Sequence, residues 1–226
     1  MYLNIQVRSL ATSSALLLHD LVIDIPGGHI HTVMGASGSG KSSLLSAVCG
    51  TLDASLRFEG EISLGGRPIA HLPTEQRRVG ILFQDDLLFA HMSVSENLLF
   101  AVPPGPRQER LARVVQALRD IELPHLADAN PATLSGGQRS RVALMRAFLA
   151  EPYALLLDEP YAKLDSALRE RMRALVRQWV QERQIPALLV THDAQDIAEA
   201  SRLTQLSASA SLTTDSQAPY LAAQRR

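Results

Sequence analysis

Gly35-Ala36-Ser37-Gly38-Ser39-Gly40-Lys41-Ser42 is the segment of this 226-residue chain whose residue types most directly imply chemistry. It fits G-x-x-x-x-G-K-[ST]. Glycines at this spacing let successive backbone N–H groups turn inward and form a nest for phosphate oxygens. Lys41 brings a compact positive charge to the β- and γ-phosphates, and the Ser42 hydroxyl suits Mg²⁺. Ser43, next along, belongs to the same nucleotide-binding set. A strand before the segment and a helix after it, with Leu44, Leu45 and Val48 on its buried side, would aim the positive helix end at the same anion.

Three further polar groups follow apolar runs. Leu155-Leu156-Leu157 runs into Asp158-Glu159, the run at 79–83 ends at Gln84, and that at 187–191 ends at His192. Asp158 is placed to hold Mg²⁺ through its waters. Glu159 can take a proton from an attacking water. Gln84 can orient that water or complete the Mg²⁺ shell, and His192 can donate to a γ-phosphate. A lone histidine after a strand is more often a satisfied turn residue, and Gln84 alone means nothing. The weight lies in four strands delivering polar groups at their carboxyl ends, the edge where open α/β sheets bind ligands.

Such an edge needs parallel strands joined by crossover helices, and apolar runs alternate with helical patterns accordingly. Strands are predicted at residues 30–34, 79–83, 154–157 and 187–191, with shorter ones at 3–7, 21–25, 61–64 and 202–206. A helix is predicted over 107–123 with Leu111, Val114, Val115, Leu118 and Ile121 on one face. Another over 165–183 places Leu168, Met172, Leu175, Val176 and Trp179 together, with Asp165 as N-cap and an end forced before Pro186. Between Gln84 and Leu134 only helical patterns occur, broken by Pro103-Pro104-Gly105-Pro106, so this stretch reads as a helical insertion. From Ser207 a loose polar tail is expected.

Composition sets the bounds. Hydrophobic residues make up 46% of the chain, enough for a core, and the formal net charge of −1 lacks the basic excess of a nucleic-acid binder. The single cysteine, Cys49, excludes an internal disulfide framework, and no apolar run suffices to span a bilayer. MYLNIQVRSL lacks the layout of a secretory signal, so an intracellular location is expected. The 22 basic residues divide into 20 arginines and two lysines, Lys41 and Lys163. A nest of N–H groups favours an ammonium over a larger planar guanidinium, which explains Lys41. Lys163 has no such requirement and reads as incidental.

Leu134-Ser135-Gly136-Gly137-Gln138, followed by Arg139 and Arg141-Val142-Ala143-Leu144-Met145-Arg146-Ala147, joins the segments above. Together with Leu164-Asp165 and Thr191-His192-Asp193, they resemble the ATP-binding subunits of ABC transporters over nearly the whole chain. The resemblance implies an α/β fold: a P-loop NTPase of the ABC ATPase type, with a RecA-like mixed-sheet core, an antiparallel β part and a helical subdomain. Residues 1–226 would form one such domain, with 1–84 and 150–206 as the core and about 85–149 as the helical part. It also implies an ATPase that forms a head-to-tail homodimer around two ATP molecules with Mg²⁺. Each site would combine residues 35–43, Gln84, Asp158, Glu159 and His192 of one subunit with Ser135, Gly136, Gly137 and Gln138 of the other, and Asp165 would lie at the seam. Because Ser135-Gly136-Gly137 opens a helix, its bare N–H groups would form the second anion site.

The segment from Arg77 to Val94 is similar to the importer group for molybdate, iron, thiamine and polyamines, which share R-x-[IV]-G-x-x-F-Q and L-F-x-H-[ML]-[ST]-V. The implied partners are two transmembrane permease subunits, contacted around Gln84 to Phe100, and a solute-binding protein. The implied place is the cytoplasmic face of the inner membrane. Family members carry an aromatic residue that stacks on adenine. Here residues 9–15 have none, so an aliphatic such as Leu10 is expected to take its place. The C-terminal regulatory domain of many sugar and polyamine importers is expected to be absent. Among other classes, DNA-repair members insert long coiled coils, for which the 93 positions from Lys41 to Leu134 leave no room. Ribosome-acting members usually carry two cassettes, and intact Glu159, Gln84 and His192 speak against a non-hydrolysing regulator. An exporter or lipoprotein-release ATPase is the nearest rival to an importer.

Overall fold

The computed structural model describes residues 1–206; the tail expected from Ser207 lies outside them. Strands β1 (Tyr2–Ala11), β2 (Leu16–Pro26), β4 (Arg57–Leu64) and β5 (Arg67–Pro68) form an antiparallel sheet in the order β2-β1-β4-β5. Strands β3 (Ile30–Gly35), β6 (Val79–Leu82), β7 (Ala154–Asp158), β8 (Ala187–Thr191) and β9 (Leu203–Leu206) form a second sheet. Its order is β6-β7-β8-β3-β9 and every pair is parallel. β1 and β2 run well beyond the spans expected from apolar runs. Leu3, Ile5 and Val7 alternate with partly or fully exposed neighbours, as suits a sheet with one solvated face.

β7 and β8 are buried at every position because both faces of the parallel sheet are covered. On one face Leu156, Leu188 and Val190 meet Leu44, Leu45 and Val48 of α1 (Lys41–Cys49) and the apolar side of the antiparallel sheet. On the other, Leu155, Leu157 and Leu189 meet α5 (Gly136–Leu149) and α6 (Ser166–Arg183). The short α2 (Thr74–Arg77) leads into β6; α3 (Val94–Ala101) and α4 (Arg107–Asp120) occupy the stretch read as a helical insertion.

Helix ends follow local chemistry. Asp165 caps α6 as expected, its carboxylate accepting from Leu168 N at 3.0 Å. α4 stops three residues early. Glu122 turns left-handed (φ 59°), and Leu123 N bonds Leu118 O at 2.8 Å while Glu122 N bonds Arg119 O at 3.0 Å. That pair of bonds closes the helix in a Schellman turn. Its expected apolar face is correspondingly narrower: Val114, Leu118 and Ile121 are buried, but Leu111 and Val115 are exposed.

Candidate functional site

The carboxyl ends of β3, β6, β7 and β8 open on one cavity of 480 Å³, lined by Ser37, Gly38, Gly40, Lys41, Ser42, Ser43, Gln84, Asp158, Glu159 and His192, with Leu17 and Ala162. The loop after β3 turns through two left-handed glycines, Gly38 (φ 80°) and Gly40 (φ 88°). Gly40 is also the N-cap of α1 and has no side chain to offer the first-turn N–H groups. An uncapped helix start facing a cavity is an anion site. Lys41 is buried, and its Nζ donates to the carbonyls of Gly35 and Ala36, each at 2.8 Å. The Ser39 hydroxyl is buried without a hydrogen-bond partner among the described residues. Of the loop residues, Gly35, Ala36 and Ser39 fall outside the cavity lining.

Asp158 is nearly buried at the end of β7. That burial pushes its carboxyl pKa up, while the Ser42 hydroxyl opposes the shift, the charge of Glu159 adds to it and Lys41 opposes it. A desolvated carboxylate beside a hydroxyl and a side-chain amide is an oxygen donor set that suits a hard divalent cation. Glu159 adopts a left-handed backbone (φ 50°), anchored by its N–H on Val190 O at 3.0 Å. Such a conformation in a non-glycine residue costs energy and is common at functional sites. Its carboxylate pairs with His192 Nδ1 at 2.7 Å. That hydrogen bond first, and the charge of Glu159 with it, hold the His192 pKa above its ordinary value although the ring is exposed.

Ser135, Gly136, Gly137 and Gln138 do not line this cavity. They open α5 elsewhere on the surface, as a capping box: Ser135 Oγ accepts from Gln138 N at 3.2 Å, and Gln138 Oε1 accepts from Ser135 N at 2.8 Å. The helix start is therefore less bare than the sequence implied. The Gln138 N–H is spoken for, leaving those of Gly136 and Gly137.

Two residues depart from the sequence reading. Leu10 is fully buried beneath the antiparallel sheet and cannot meet a nucleotide; Leu17 of β2 lines the cavity instead, 3.2 Å from where a Cβ on Gly40 would lie. Lys163 is not incidental. Its Nζ donates to the Gln84 carbonyl and to Asp86 Oδ2, both at 3.1 Å. Sequence reasoning also passed over the work of Arg77, whose guanidinium closes the far end of α1 through the carbonyls of Ala47 and Val48. Only the buried helix terminus ahead of an arginine could have signalled it.

A nucleotide loop, an acidic pair and a histidine on one parallel-sheet edge, with a capped Ser-Gly-Gly helix apart from them, define a class. The chain belongs to the ABC transporter family, whose pattern matches residues 18–162, and it is an ABC-type ATPase that binds ATP. It is 47% identical over 190 residues to the ABC transporter ATP-binding protein YnjD of Escherichia coli K12, covering 84% of this chain and 88% of that one. It is 40% identical over 189 residues to the sulfate/thiosulfate import ATP-binding protein CysA of the same strain, covering 81% of this chain and 51% of CysA. The chain thus spans about half the length of CysA. Among solved structures it is similar to the dimeric bacterial ABC transporter cassette MJ0796, with TM-score 0.80, 27% identity and coverage of 91% and 94%. A post-hydrolysis dimer of the same cassette with ADP and Pi gives TM-score 0.79, 27% identity and coverage of 92% and 97%.

Proposed function

We propose that this chain is the ATP-hydrolysing subunit of an importer for a small solute, and that two copies work head to tail. The observation that carries the dimer is the separation just described. Lys41, Ser42, Gln84, Asp158, Glu159 and His192 share one cavity, while Ser135 is exposed at a helix start outside it. A second copy would bring that start to the γ-phosphate, where the N–H groups of Gly136 and Gly137 donate. Residues 35–43 bind the phosphates. Ser42, Gln84 and Asp158 would hold Mg²⁺, which when bound neutralises phosphate charge. Glu159 accepts a proton from the attacking water. His192, oriented by Glu159, donates from its other ring nitrogen to the γ-phosphate. The new charge of the product loosens the seam and the two copies part. Leu17 offers an apolar surface to adenine.

The importer reading rests on the region from Gln84 to Phe100. A groove of 440 Å³ runs beside it, lined by Phe83, Asp85, Leu87, Phe89, Phe100 and Arg146 among others. Leu87 and Phe100 are exposed large hydrophobics, and acidic Asp85 stands next to them. An exposed apolar trough with an acidic rim suits a helix end from a permease subunit. Two permease subunits bound at this groove would place the chain at the cytoplasmic face of the inner membrane; no helix among the described residues is long and apolar enough to cross a membrane. A solute-binding protein completes the system, and nucleic acid has no part in it. The similarity to CysA, a sulfate/thiosulfate import ATP-binding protein, supports import over export.

Mixing tests the shared site. Ser135→Arg and a Lys41→Ala variant are each expected to be inactive, and a mixture of the two to recover part of the wild-type ATPase rate. A mixture as dead as its components would overturn the head-to-tail arrangement. Co-expression with candidate permeases should bring the chain to the membrane fraction. Recovery with an export or lipoprotein-release permease alone would decide for the rival reading.

A further inference from the structure

One ionic cluster lies outside the reaction described so far. Asp86, two residues beyond Gln84, has a side chain only 10% exposed. Its Oδ2 meets Lys163 Nζ at 3.1 Å and Arg139 Nε at 3.5 Å, and its main-chain carbonyl accepts from Arg146 at 3.4 Å. The Lys163 ammonium also reaches the Gln84 carbonyl at 3.1 Å. Three segments remote in sequence therefore meet here: the loop after β6 that carries Gln84, the first turn of α5 just past Gln138, and the loop that leads to Asp165. Their backbones are close as well. A Cβ on Gly137 would come within 3.0 Å of the Lys163 carbonyl, and one on Gly136 within 3.8 Å of Lys163 Cδ.

A carboxylate this buried is not a solvated surface charge. Its desolvation is offset only by the cations beside it. Lys163 is the more informative partner, because its side chain is 39% exposed and polar contacts must hold its ammonium in place. Two acceptors in different directions do so, which an ammonium with three donors satisfies.

We propose that Lys163 is a positioning residue for hydrolysis: it fixes the Gln84 loop from the segment before Asp165 and, through Asp86 and Arg139, ties that loop to the helix start at Ser135. The inference rests on the roles proposed above for Gln84 and for Ser135. It deepens them, because the residue that meets a subunit's own ATP and the helix end it offers to its partner then move as one body. Lys163, Asp86 and Arg139 do not line the nucleotide cavity. Their loss should therefore slow turnover and leave ATP affinity alone.

The test is steady-state ATPase kinetics of the full chain with Lys163→Met, Lys163→Arg, Asp86→Asn, Gln84→Ala and the Lys163→Met/Asp86→Asn pair. Lys163→Met and Asp86→Asn should each lower kcat about three- to tenfold with KM for ATP within about twofold of wild type. The pair should be no slower than its slower member, since both break one cluster. Lys163→Arg should lie between Lys163→Met and wild type. Wild-type kcat in Lys163→Met, a raised KM with kcat intact, or multiplying effects in the pair would overturn the proposal. Lys163 is exposed, so its two variants decide the matter even if Asp86→Asn folds poorly. If Gln84→Ala turns over at the wild-type rate, the role of Gln84 fails and the inference with it. If Gln84→Ala is slow and Lys163→Met is not, the inference alone fails.

Discussion

Arg77→Met tests how the fold closes the far end of α1, the helix that follows the phosphate loop. The guanidinium is 7% exposed and donates to four carbonyls: Ala47 at 2.7 Å, Val48 at 2.9 Å, Leu72 at 2.8 Å and Ala70 at 2.6 Å. Ala47 and Val48 belong to the last turn of α1, where no intrahelical N–H is available. A positive charge there also opposes the negative end of the helix that begins at Lys41. Hydrogen bonds to a charged group contribute about 1.5–3 kcal/mol each net, but four made by one guanidinium do not add in full. Burial of the guanidinium pushes the Arg77 pKa below its ordinary value. Methionine leaves the two buried carbonyls of Ala47 and Val48 without that donor, at about 1–3 kcal/mol each, or about 2–6 kcal/mol together. Methionine keeps part of the stem packing, so a loss in the lower half of that range, about 3 kcal/mol, is expected. At about 2–4 °C per kcal/mol for a domain of this size, Tm should fall by about 6–12 °C. Thermal unfolding followed by circular dichroism reads this directly, with urea midpoints as the check. Because Arg77 does not line the nucleotide cavity, KM for ATP of the folded protein should not move. A Tm drop of less than about 2 °C would refute the view that this arginine closes α1.

Glu159→Gln removes the proposed base but keeps its shape, so ATP and a stable dimer should accumulate on size-exclusion chromatography; turnover at the wild-type rate would show that another group takes the proton. Lys41→Arg conserves charge, yet the ammonium is enclosed against the Gly35 and Ala36 carbonyls, and a planar guanidinium should cost nearly all ATPase activity. A variant that keeps half its activity would overturn that steric argument. His192 should titrate above the ordinary histidine value, because Glu159 stabilises the charged ring. The sign follows: the pair adds stability below the unfolded pKa, and that stability is lost as pH rises through the higher folded one. NMR titration should show the midpoint fall in Glu159→Gln, and an unchanged midpoint would mean the contact at 2.7 Å does not govern the ring.

The site was legible where chain order and sheet geometry coincide. In a parallel sheet every strand exits at the same edge, so the polar residues after 30–34, 79–83, 154–157 and 187–191 had to converge, and those in the cavity do. The antiparallel sheet was legible in kind but not in extent, because its strands are half exposed and their polar positions interrupt the apolar runs. β5 is two residues long and carries no pattern at all. Leu17 was missed for a different reason. It lies in the antiparallel sheet and comes to the cavity through its closeness to Gly40, the N-cap of α1, a relation between a sheet and a loop that neither sequence segment encodes alone. Arg77 and Asp86 are of this third kind, single charged residues whose work depends on backbone carbonyls and side chains brought in from elsewhere.

The two lysines of this arginine-rich chain bring these threads together. Each sits at the carboxyl edge of the parallel sheet, and each donates to main-chain carbonyls: Lys41 to Gly35 and Ala36, Lys163 to Gln84. Carbonyls in a turning loop present acceptors at varied angles. A rotatable ammonium meets them, where a rigid guanidinium fork is matched to paired coplanar acceptors. The arginines serve other geometries here. Arg77 spans four carbonyls, two at the end of α1 and two in the loop before α2, and Arg173 binds Asp196, which also accepts from the Thr191 hydroxyl. At these two places a lysine holds the backbone of the nucleotide edge through carbonyls, in one case with a carboxylate beside them. On that reasoning Lys163 belongs to the catalytic edge as a support, although the sequence around it carries no motif that says so.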